Sequence, residues 1–361
     1  MKKCKIAIIG YGRSGRDIHT RLLKQLPDLF EITMYVDGDS ERQEMIKREM
    51  NLPVLTEYTS LYDHKEIDLV VNASFSQDHA SISRDLMKHG FNVISEKPAA
   101  KDAVEFQTVL NTEKETGKKY YAFQQYRFSP GFAKIREIIA SGVLGRIVSI
   151  DLKMDNFARR WDWQTIHNNT AGVLLNNGPH YVDWALCLMG FPQDVEVAAY
   201  FDRANYAGNG EDYVKLILRA PNAPMADIEL SACNAYPVQL LLIQGTRGTL
   251  KGDEKSLLWK YFKPEETAPL VLDTRPLRNE KGEPVYCREK LNFYEESWTA
   301  DCGNQNPFEY DFNEKGLAYY RSLHASFTGN TDFAIKNEQV MLQMKVMGAA
   351  HAQNEKLFSR N

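Results

Sequence analysis

An apolar run of strand length, Lys5-Ile6-Ala7-Ile8-Ile9, leads directly into Gly10-Tyr11-Gly12-Arg13-Ser14-Gly15, and no other stretch restricts the fold of this chain as much. The residues from Ser14 to Leu26 are helical in pattern, with Ile18, Leu22 and Leu26 on one face. A second apolar run, Phe30 to Val36, ends at Asp37, 22 residues after Gly15. Strand, Gly-x-Gly-x-x-Gly, helix, second strand and terminal acid, in this order, form the pattern of a βαβ unit that holds a dinucleotide. Gly10 permits the tight turn, Gly12 lets the backbone approach a pyrophosphate, and Gly15 lets the helix pack on the strand. The N–H groups of the loop, with Tyr11, Arg13 and Ser14 in it, and the helix dipole then face the phosphates.

Asp37 bears on the choice of cofactor. A carboxylate there accepts from both ribose hydroxyls of the adenosine half and repels the 2′-phosphate of NADP. Gly38, Asp39 and Ser40 add a second acid and no base. The nearest cation, Arg42, is expected to face outward from a helix capped by Ser40. NAD(H) is therefore expected in preference to NADP.

At roughly 150 residues per domain, 361 residues predict two domains. The net charge is −4, with positive residues scattered, which favours neither nucleic acid nor an anionic membrane. No apolar run approaches the roughly 20 residues of a membrane span. Met1-Lys2-Lys3 resembles the start of a signal peptide, but the apolar stretch behind it is short and ends in the glycine loop, so none is expected. Cys4, Cys187, Cys233, Cys287 and Cys302 form no C-x-x-C pair; they read as free thiols in a reducing cytoplasm, and no metal site is expected.

Up to residue 122 the pattern alternates. Strand candidates are Ile6–Ile9, Ile32–Val36, Leu69–Ala73, Val93–Ser95 and Tyr120–Phe123, with helical stretches at 14–26, 40–50, 78–89 and 102–116. Asp102 and Gly117 are placed to cap the last helix. Such alternation predicts a doubly wound parallel sheet over residues 1–122, a Rossmann domain. Ligands of such sheets sit beyond the carboxyl ends of the strands, where Gly10–Gly15, Asp37, Ser74 and Glu96–Pro98 all fall. From 123 to 361 the pattern predicts an α+β domain. A helix over Pro130–Ser141, capped by Ser129, precedes strand-like runs at Ile147–Met154, Val195–Phe201, Tyr213–Leu218, Asp227–Ala232, Gln239–Gln244 and Leu257–Phe262. These form a large open, mostly antiparallel sheet, with a helix near 177–189 set before most of it. Residues 263–312 read as an extended excursion, and helices near 314–328 and 337–355 close the chain.

Three constellations carry chemistry. In Ser95-Glu96-Lys97-Pro98, a lysine at a strand's carboxyl end can donate to a substrate hydroxyl; the alternative is a solvated loop lysine. In Asn176-Asn177-Gly178-Pro179-His180-Tyr181-Val182-Asp183, His180 is a candidate general base, because an imidazole titrates near neutrality. Asn176 shares a face with His180 if the stretch is helical throughout, and Asp183 can touch His180 from the other side. Pro179 complicates this, leaving Asn176 or Asn177 as a possible N-cap. In Arg159-Arg160-Trp161-Asp162-Trp163, guanidinium and aromatic faces suit a carbohydrate or a carboxylate, or equally a subunit interface or a cofactor-covering loop. Tyr126-Arg127-Phe128 has the same character.

Taken with Ala73-Ser74 and His79, Tyr126-Arg127-Phe128-Ser129-Pro130, Gly142-Val143-Leu144-Gly145-Arg146-Ile147 and the Gly-x-His-x-x-Asp pattern at Gly178, His180 and Asp183, these motifs resemble the glucose–fructose oxidoreductase / inositol dehydrogenase / rhizopine-catabolism (Gfo/Idh/MocA) family over nearly the whole chain. The resemblance implies an N-terminal Rossmann domain and a C-terminal open sheet that mediates homodimers or homotetramers. It implies redox chemistry on a hydroxyl or keto group of a sugar, cyclitol or related polyol. It places NAD against Gly10–Gly15, Asp37, Ser74, His79, Glu96 and Lys97. It places substrate against Tyr126, Arg127, Arg160, Trp163, Asn176 and His180. The family's catalytic lysine, aspartate and histidine fall on Lys97, Asn176 and His180. The aspartate is missing, and Asn176 cannot hold a negative charge. Either Asp183 orients His180, or the site tolerates the loss, or the chemistry differs. The leading expectation is an NAD-dependent dehydrogenase or reductase in the cytoplasm. Two alternatives stand beside it: transient oxidation that permits glycoside cleavage or epimerisation without net redox, and a non-catalytic cofactor-binding sensor.

Overall fold

The structure is a computed structural model that describes residues 3–236, 240–329 and 331–358. Met1 and Lys2, from the start for which no signal peptide is expected, and Gln239, the first of an expected strand, lie outside the described residues.

Six parallel strands make the first sheet: β1 (Cys4–Ile9), β2 (Phe30–Val36), β3 (Val54–Leu55), β4 (Leu69–Asn72), β5 (Asn92–Ser95) and β6 (Tyr120–Ala122), in the order β3-β2-β1-β4-β5-β6. The order reverses at β1 and β4, which puts the crevice for a ligand beyond the carboxyl ends of those two strands. β1 and β4 are almost wholly buried, as continuous apolar runs in a sheet covered on both faces must be. Asp102 caps the helix Ala103–Thr116 by accepting from Glu105 N at 2.8 Å, and Gly117 ends it in the left-handed conformation, as the sequence predicts. The helix Ser40–Met50 differs from expectation: Asp39, not Ser40, is its cap, accepting from Arg42 N at 3.1 Å.

The second sheet has eight strands: β7 (Ile147–Asp155), β8 (Glu196–Asp202), β9 (Tyr213–Arg219), β10 (Met225–Ser231), β11 (Leu241–Gly245), β12 (Gly248–Gly252), β13 (Ser256–Phe262) and β14 (Phe293–Thr299). Their order is β14-β13-β12-β11-β7-β10-β9-β8, antiparallel except for the pair β7 and β10. Period-two alternation sends Ile150, Leu152, Val214, Leu216, Ile228 and Leu230 to one buried face. The other face mixes Ile217, Leu242 and Leu258 with charge: Lys215 pairs with Asp227 at 2.6 Å and Glu229 at 3.0 Å. Besides the two-residue β3 of the first sheet, two strands of this sheet escaped the sequence reading. β12 is five residues between glycines, and β14 is an exposed edge strand whose Glu295 and Glu296 break any apolar alternation.

The helix Pro307–Phe327 returns to the first sheet's side. Its Tyr320 hydroxyl lies 2.6 Å from His19 Nδ1, and a Cβ on Gly316 would sit 2.4 Å from Leu22 Cδ1. The helix Asn337–Ala352 joins the two halves through Gln343, which accepts from Gln124 Nε2 at 2.7 Å.

Candidate active site

A cleft of about 600 Å³ opens at the carboxyl ends of β1, β2, β4 and β5. Its walls bring together Gly10, Gly12, Arg13, Ser14, Asp37, Ser74, His79, Glu96 and Lys97 from the first sheet's loops, with Arg160 and Trp163 from the segment after β7. Gly10 has φ +85°, and a Cβ there would lie 2.4 Å from Ala73 O; a Cβ on Gly15 would lie 1.8 Å from Gly10 O. Both therefore close the turn by necessity. Gly12 is different. Its Cβ would meet nothing nearer than Arg42 Nη1 at 3.9 Å, so the space it leaves free is the cleft itself. Backbone bared towards open volume at the start of the helix Arg13–Thr20 fits a pyrophosphate.

Asp37 follows β2 and is buried. Its Oδ2 accepts from Tyr11 N at 2.7 Å and its Oδ1 from Asp39 N at 3.0 Å, so one carboxylate fixes both the glycine loop and the loop after β2. Each oxygen retains accepting capacity for a ribose hydroxyl. Arg42, expected to face outward, instead turns in: its Nη1 lies 3.7 Å from Asp37 Oδ2 and it lines the cleft. The capping bond to Asp39 sets the first turn of its helix over the β2 loop, and the carboxylate draws the guanidinium in.

Lys97 sits where the two halves meet. Its Nζ donates to the backbone oxygen of Asn176 at 2.7 Å and to Asn176 Oδ1 at 3.2 Å. Burial pulls its ammonium below the usual lysine range; Glu96 opposes this, and Arg13 and Arg160 reinforce it. Glu96 is buried beside His19, with Oε1 at 3.2 Å from Nε2. Burial alone would raise its pKa, but the bond and charge of His19, with Lys97 and His79, hold it down to about 2. His79 packs both ring nitrogens against backbone carbonyls, Pro98 O at 2.9 Å and Ser74 O at 3.2 Å. It thus braces the Ser74 and Lys97 loops.

Asn176 ends one short helix, Val173–Asn176, and His180 lies in the first turn of the next, Gly178–Leu188. Pro179 is the reason for the break, because it cannot supply an N–H to a continuing helix. His180 stacks on the Tyr126 ring at 3.9 Å, and Lys315 Nζ lies 3.6 Å from the centroid of that same ring. His180 is buried, its Nδ1 has no partner, and burial, Lys97 and Lys315 drive its pKa well below the ordinary value. It is a neutral imidazole at physiological pH, able to accept a proton only as a bound group releases one.

Two expected roles are corrected. Asp183 does not orient His180, because Arg127 takes its carboxylate in a buried bidentate pair, with Nε 2.9 Å from Oδ2 and Nη2 on Oδ1. Arg127 in turn does not border the large cleft; it also reaches Ala334 O and Gln339 and borders a separate small cavity with Phe191 and Cys187. Helical periodicity put Asp183 near His180 but could not show that a distant arginine would claim it. Tyr126 stacks on His180, and neither of them nor Asn176 is among the residues bordering the large cleft, which Lys97 reaches from their side.

The sequence reading missed several partners. Phe75 meets Trp163 edge to face at 5.1 Å across the cleft. Gln164 bridges Arg160 to Asn176, accepting from Arg160 Nη2 at 2.5 Å and donating to Asn176 Oδ1 at 3.4 Å. Lys315, held by Asp311 at 2.6 Å, supplies the second charge near His180. No local motif announces any of these.

Residues 4–124 match the model of the oxidoreductase family with an NAD-binding Rossmann fold, and residues 132–251 match that of the GFO/IDH/MocA C-terminal domain. The chain belongs to this family. Its N-terminal part is an NAD-binding Rossmann domain. The chain is 27% identical to the scyllo-inositol 2-dehydrogenase (NADP(+)) IolW of Bacillus subtilis, over 96% of this chain and 92% of that one. It is 24% identical to the 2,7-anhydro-N-acetylneuraminate hydratase of Mediterraneibacter gnavus, over 70% of this chain and 68% of that one. The WlbA dehydrogenase from Bordetella pertussis, solved in complex with NADH and UDP-GlcNAcA, superimposes with a TM-score of 0.76 at 18% identity, covering 98% of this chain and 96% of that one. Among the described residues, no helix is long and apolar enough to cross a membrane.

Proposed function

We propose that this member of the GFO/IDH/MocA family is an NAD-dependent dehydrogenase or reductase of a sugar, cyclitol or related polyol. The observation that carries the reading is Lys97, which borders the cleft with a lowered pKa, donates to Asn176 and acts electrostatically on the buried His180 behind it. Gly10–Gly15 and Asp37 would hold the dinucleotide, with Ser74 and Glu96–Lys97 at its nicotinamide end. When bound, the nicotinamide supplies the two-electron redox chemistry. Lys97 donates to the substrate oxygen and stabilises negative charge developing there. His180 takes the hydroxyl proton or returns it. Asn176 holds Lys97 and a neighbouring hydroxyl, while Arg160 and Trp163 wall the substrate side. Asp37 supports NAD over NADP through charge, although Arg42 at its flank softens that repulsion. We place the protein in the cytoplasm and expect it to assemble as a homodimer or homotetramer through the second sheet.

Asn176 favours a second reading. Without a carboxylate in the set, the same groups suit removal of a proton beside a transiently oxidised carbon, followed by loss of a leaving group and no net redox. One relative is named as a hydratase, which keeps company with that chemistry. Incubation with a panel of sugars, cyclitols, aldonates and glycosides, with NAD and separately with NADP, distinguishes the two. Reduced nicotinamide accumulating with one substrate, more with NAD, supports the dehydrogenase. Product without net reduced cofactor supports the second reading. Turnover that survives Lys97→Ala and His180→Ala refutes both.

A further inference from the structure

Away from the cleft, three buried polar atoms without hydrogen-bond partners meet: His167 Nδ1, Glu211 Oε2 and His351 Nε2. They come from the turn His167–Asn169, the residue pair before β9, and the helix Asn337–Ala352. Ligand atoms of the three residues all lie within 4.8 Å of one another. A buried polar atom left unpaired is unfavourable, so three in one place need a common explanation. A direct contact does not provide it, because His351 Nε2 is 3.8 Å from the nearer carboxylate oxygen, too long for a hydrogen bond.

We propose that His167, Glu211 and His351 bind one divalent first-row transition cation, Zn²⁺ being the best match to two imidazoles and a carboxylate. Two nitrogens and one oxygen suit such a cation, whereas Mg²⁺ and Ca²⁺ seek oxygen ligands. Ligand atoms around tetrahedral Zn²⁺ at about 2.0–2.2 Å stand closer than 4.8 Å, so the side chains draw inward by rotamer adjustment on loading. Glu211 is held in place: its Oε1, 3.8 Å from His351 Nε2, accepts from Leu174 N at 2.9 Å, and its Oε2 has no hydrogen-bond partner. Phe358 stacks on His167 at 3.8 Å, and Phe201 meets His351 edge to face at 5.4 Å; both wall the site with apolar surface. Three protein ligands leave a fourth position for water.

The position gives the cation a role. Glu211 anchors the start of the helix Val173–Asn176 through Leu174 N, and its own backbone oxygen accepts from Val173 N at 2.9 Å. A bound cation would tie that helix start, and hence Asn176, to the closing helix of the chain. The site is structural and positioning rather than catalytic, and it stands whichever reaction the cleft performs.

The test uses the full-length protein without an affinity tag, stripped with chelator and titrated with Zn²⁺. Zinc content after desalting, thermal midpoint and the visible spectrum with Co²⁺ in place of Zn²⁺ are read. We expect one zinc per chain, a midpoint raised by about 5 °C at a hundredfold excess over Kd, and Co²⁺ bands without the thiolate charge-transfer feature that Cys233 or Cys287 would produce. His351→Ala should weaken zinc more than the about 10- to 100-fold that loss of outer support alone costs. His351→Gln serves if the alanine variant folds poorly. The proposal is overturned if wild-type protein takes up no more zinc than His167→Ala/His351→Ala, or if Co²⁺ reports thiolate ligation.

Discussion

Asn176→Asp places a carboxylate beside Lys97, and its effect follows from the structure. Lys97 Nζ lies 3.2 Å from Asn176 Oδ1, so at that distance the new charge favours the ammonium by about 1 kcal/mol with the dielectric of water and about 5 kcal/mol at an effective dielectric of 20. That corresponds to roughly one to four pH units, and carboxylate–cation neighbours in proteins cluster around one to three. The sign follows directly. In the wild type, burial, Arg13 and Arg160 lower the Lys97 pKa with only Glu96 opposing them. A second acid stabilises the charged form and moves the titration upward. Selectively ¹³C-labelled lysine gives the assay, the Cε resonance absent from Lys97→Arg being followed against pH with no substrate needed. Where turnover is measurable, the alkaline limb that marks loss of the Lys97 proton should move up by the same amount. A Lys97 titration displaced by less than about half a pH unit would refute the electrostatic account of this site.

Four further outcomes are expected. Arg127→Met or Asp183→Asn leaves a buried charge without its partner and should cost about 3–5 kcal/mol of stability in denaturant titration, with the pH profile of turnover unmoved, since the pair does not touch His180. Asp37→Ala should weaken NAD binding by about 10- to 100-fold in calorimetry, the equivalent of one or two charged hydrogen bonds, and narrow the preference over NADP. Gly12→Ala should fold with an unchanged thermal midpoint, because its Cβ meets only Arg42 at 3.9 Å, yet lose NAD affinity because that Cβ enters the cleft. Glu96, held down to about 2, contributes stability that is fully present above its unfolded value of 4.5 and is lost as pH falls towards 2; Glu96→Gln should flatten that acid slope.

What the sequence made legible follows from how local each signal is. The Gly10–Gly15 loop, Asp37 and the Ser95–Pro98 turn each lie at the end of one strand, so periodicity and turn chemistry place them in a cleft before any contact is known. The inward turn of Arg42 depends on one capping residue, Asp39 rather than Ser40, a distinction of a single position that propensity does not resolve. Asp183 was misread because spacing along a helix identifies a shared face but not a competitor; the competitor, Arg127, lies 56 residues away in sequence. The same holds for β14, where exposure on an edge removes the alternation that betrays a strand.

The resemblance implies an aspartate where this chain has Asn176, and the sequence alone does not show the consequence. Asn176 still holds Lys97, and it does so with its main-chain oxygen at 2.7 Å, closer than its side-chain oxygen at 3.2 Å. The position of the lysine is thus secured by backbone that any residue at 176 would offer, while its charge is no longer balanced from that side. His180 experiences the same imbalance, with Lys97 and Lys315 both facing it and only Glu96 in opposition. Lys97, Asn176 and His180 thus lie in one neighbourhood with one negative charge fewer than an aspartate at 176 would supply. A site so charged favours an anionic oxygen on the bound substrate more strongly than one that retains the carboxylate, and alkoxide or enolate character in the reacting group is what both readings of the chemistry require.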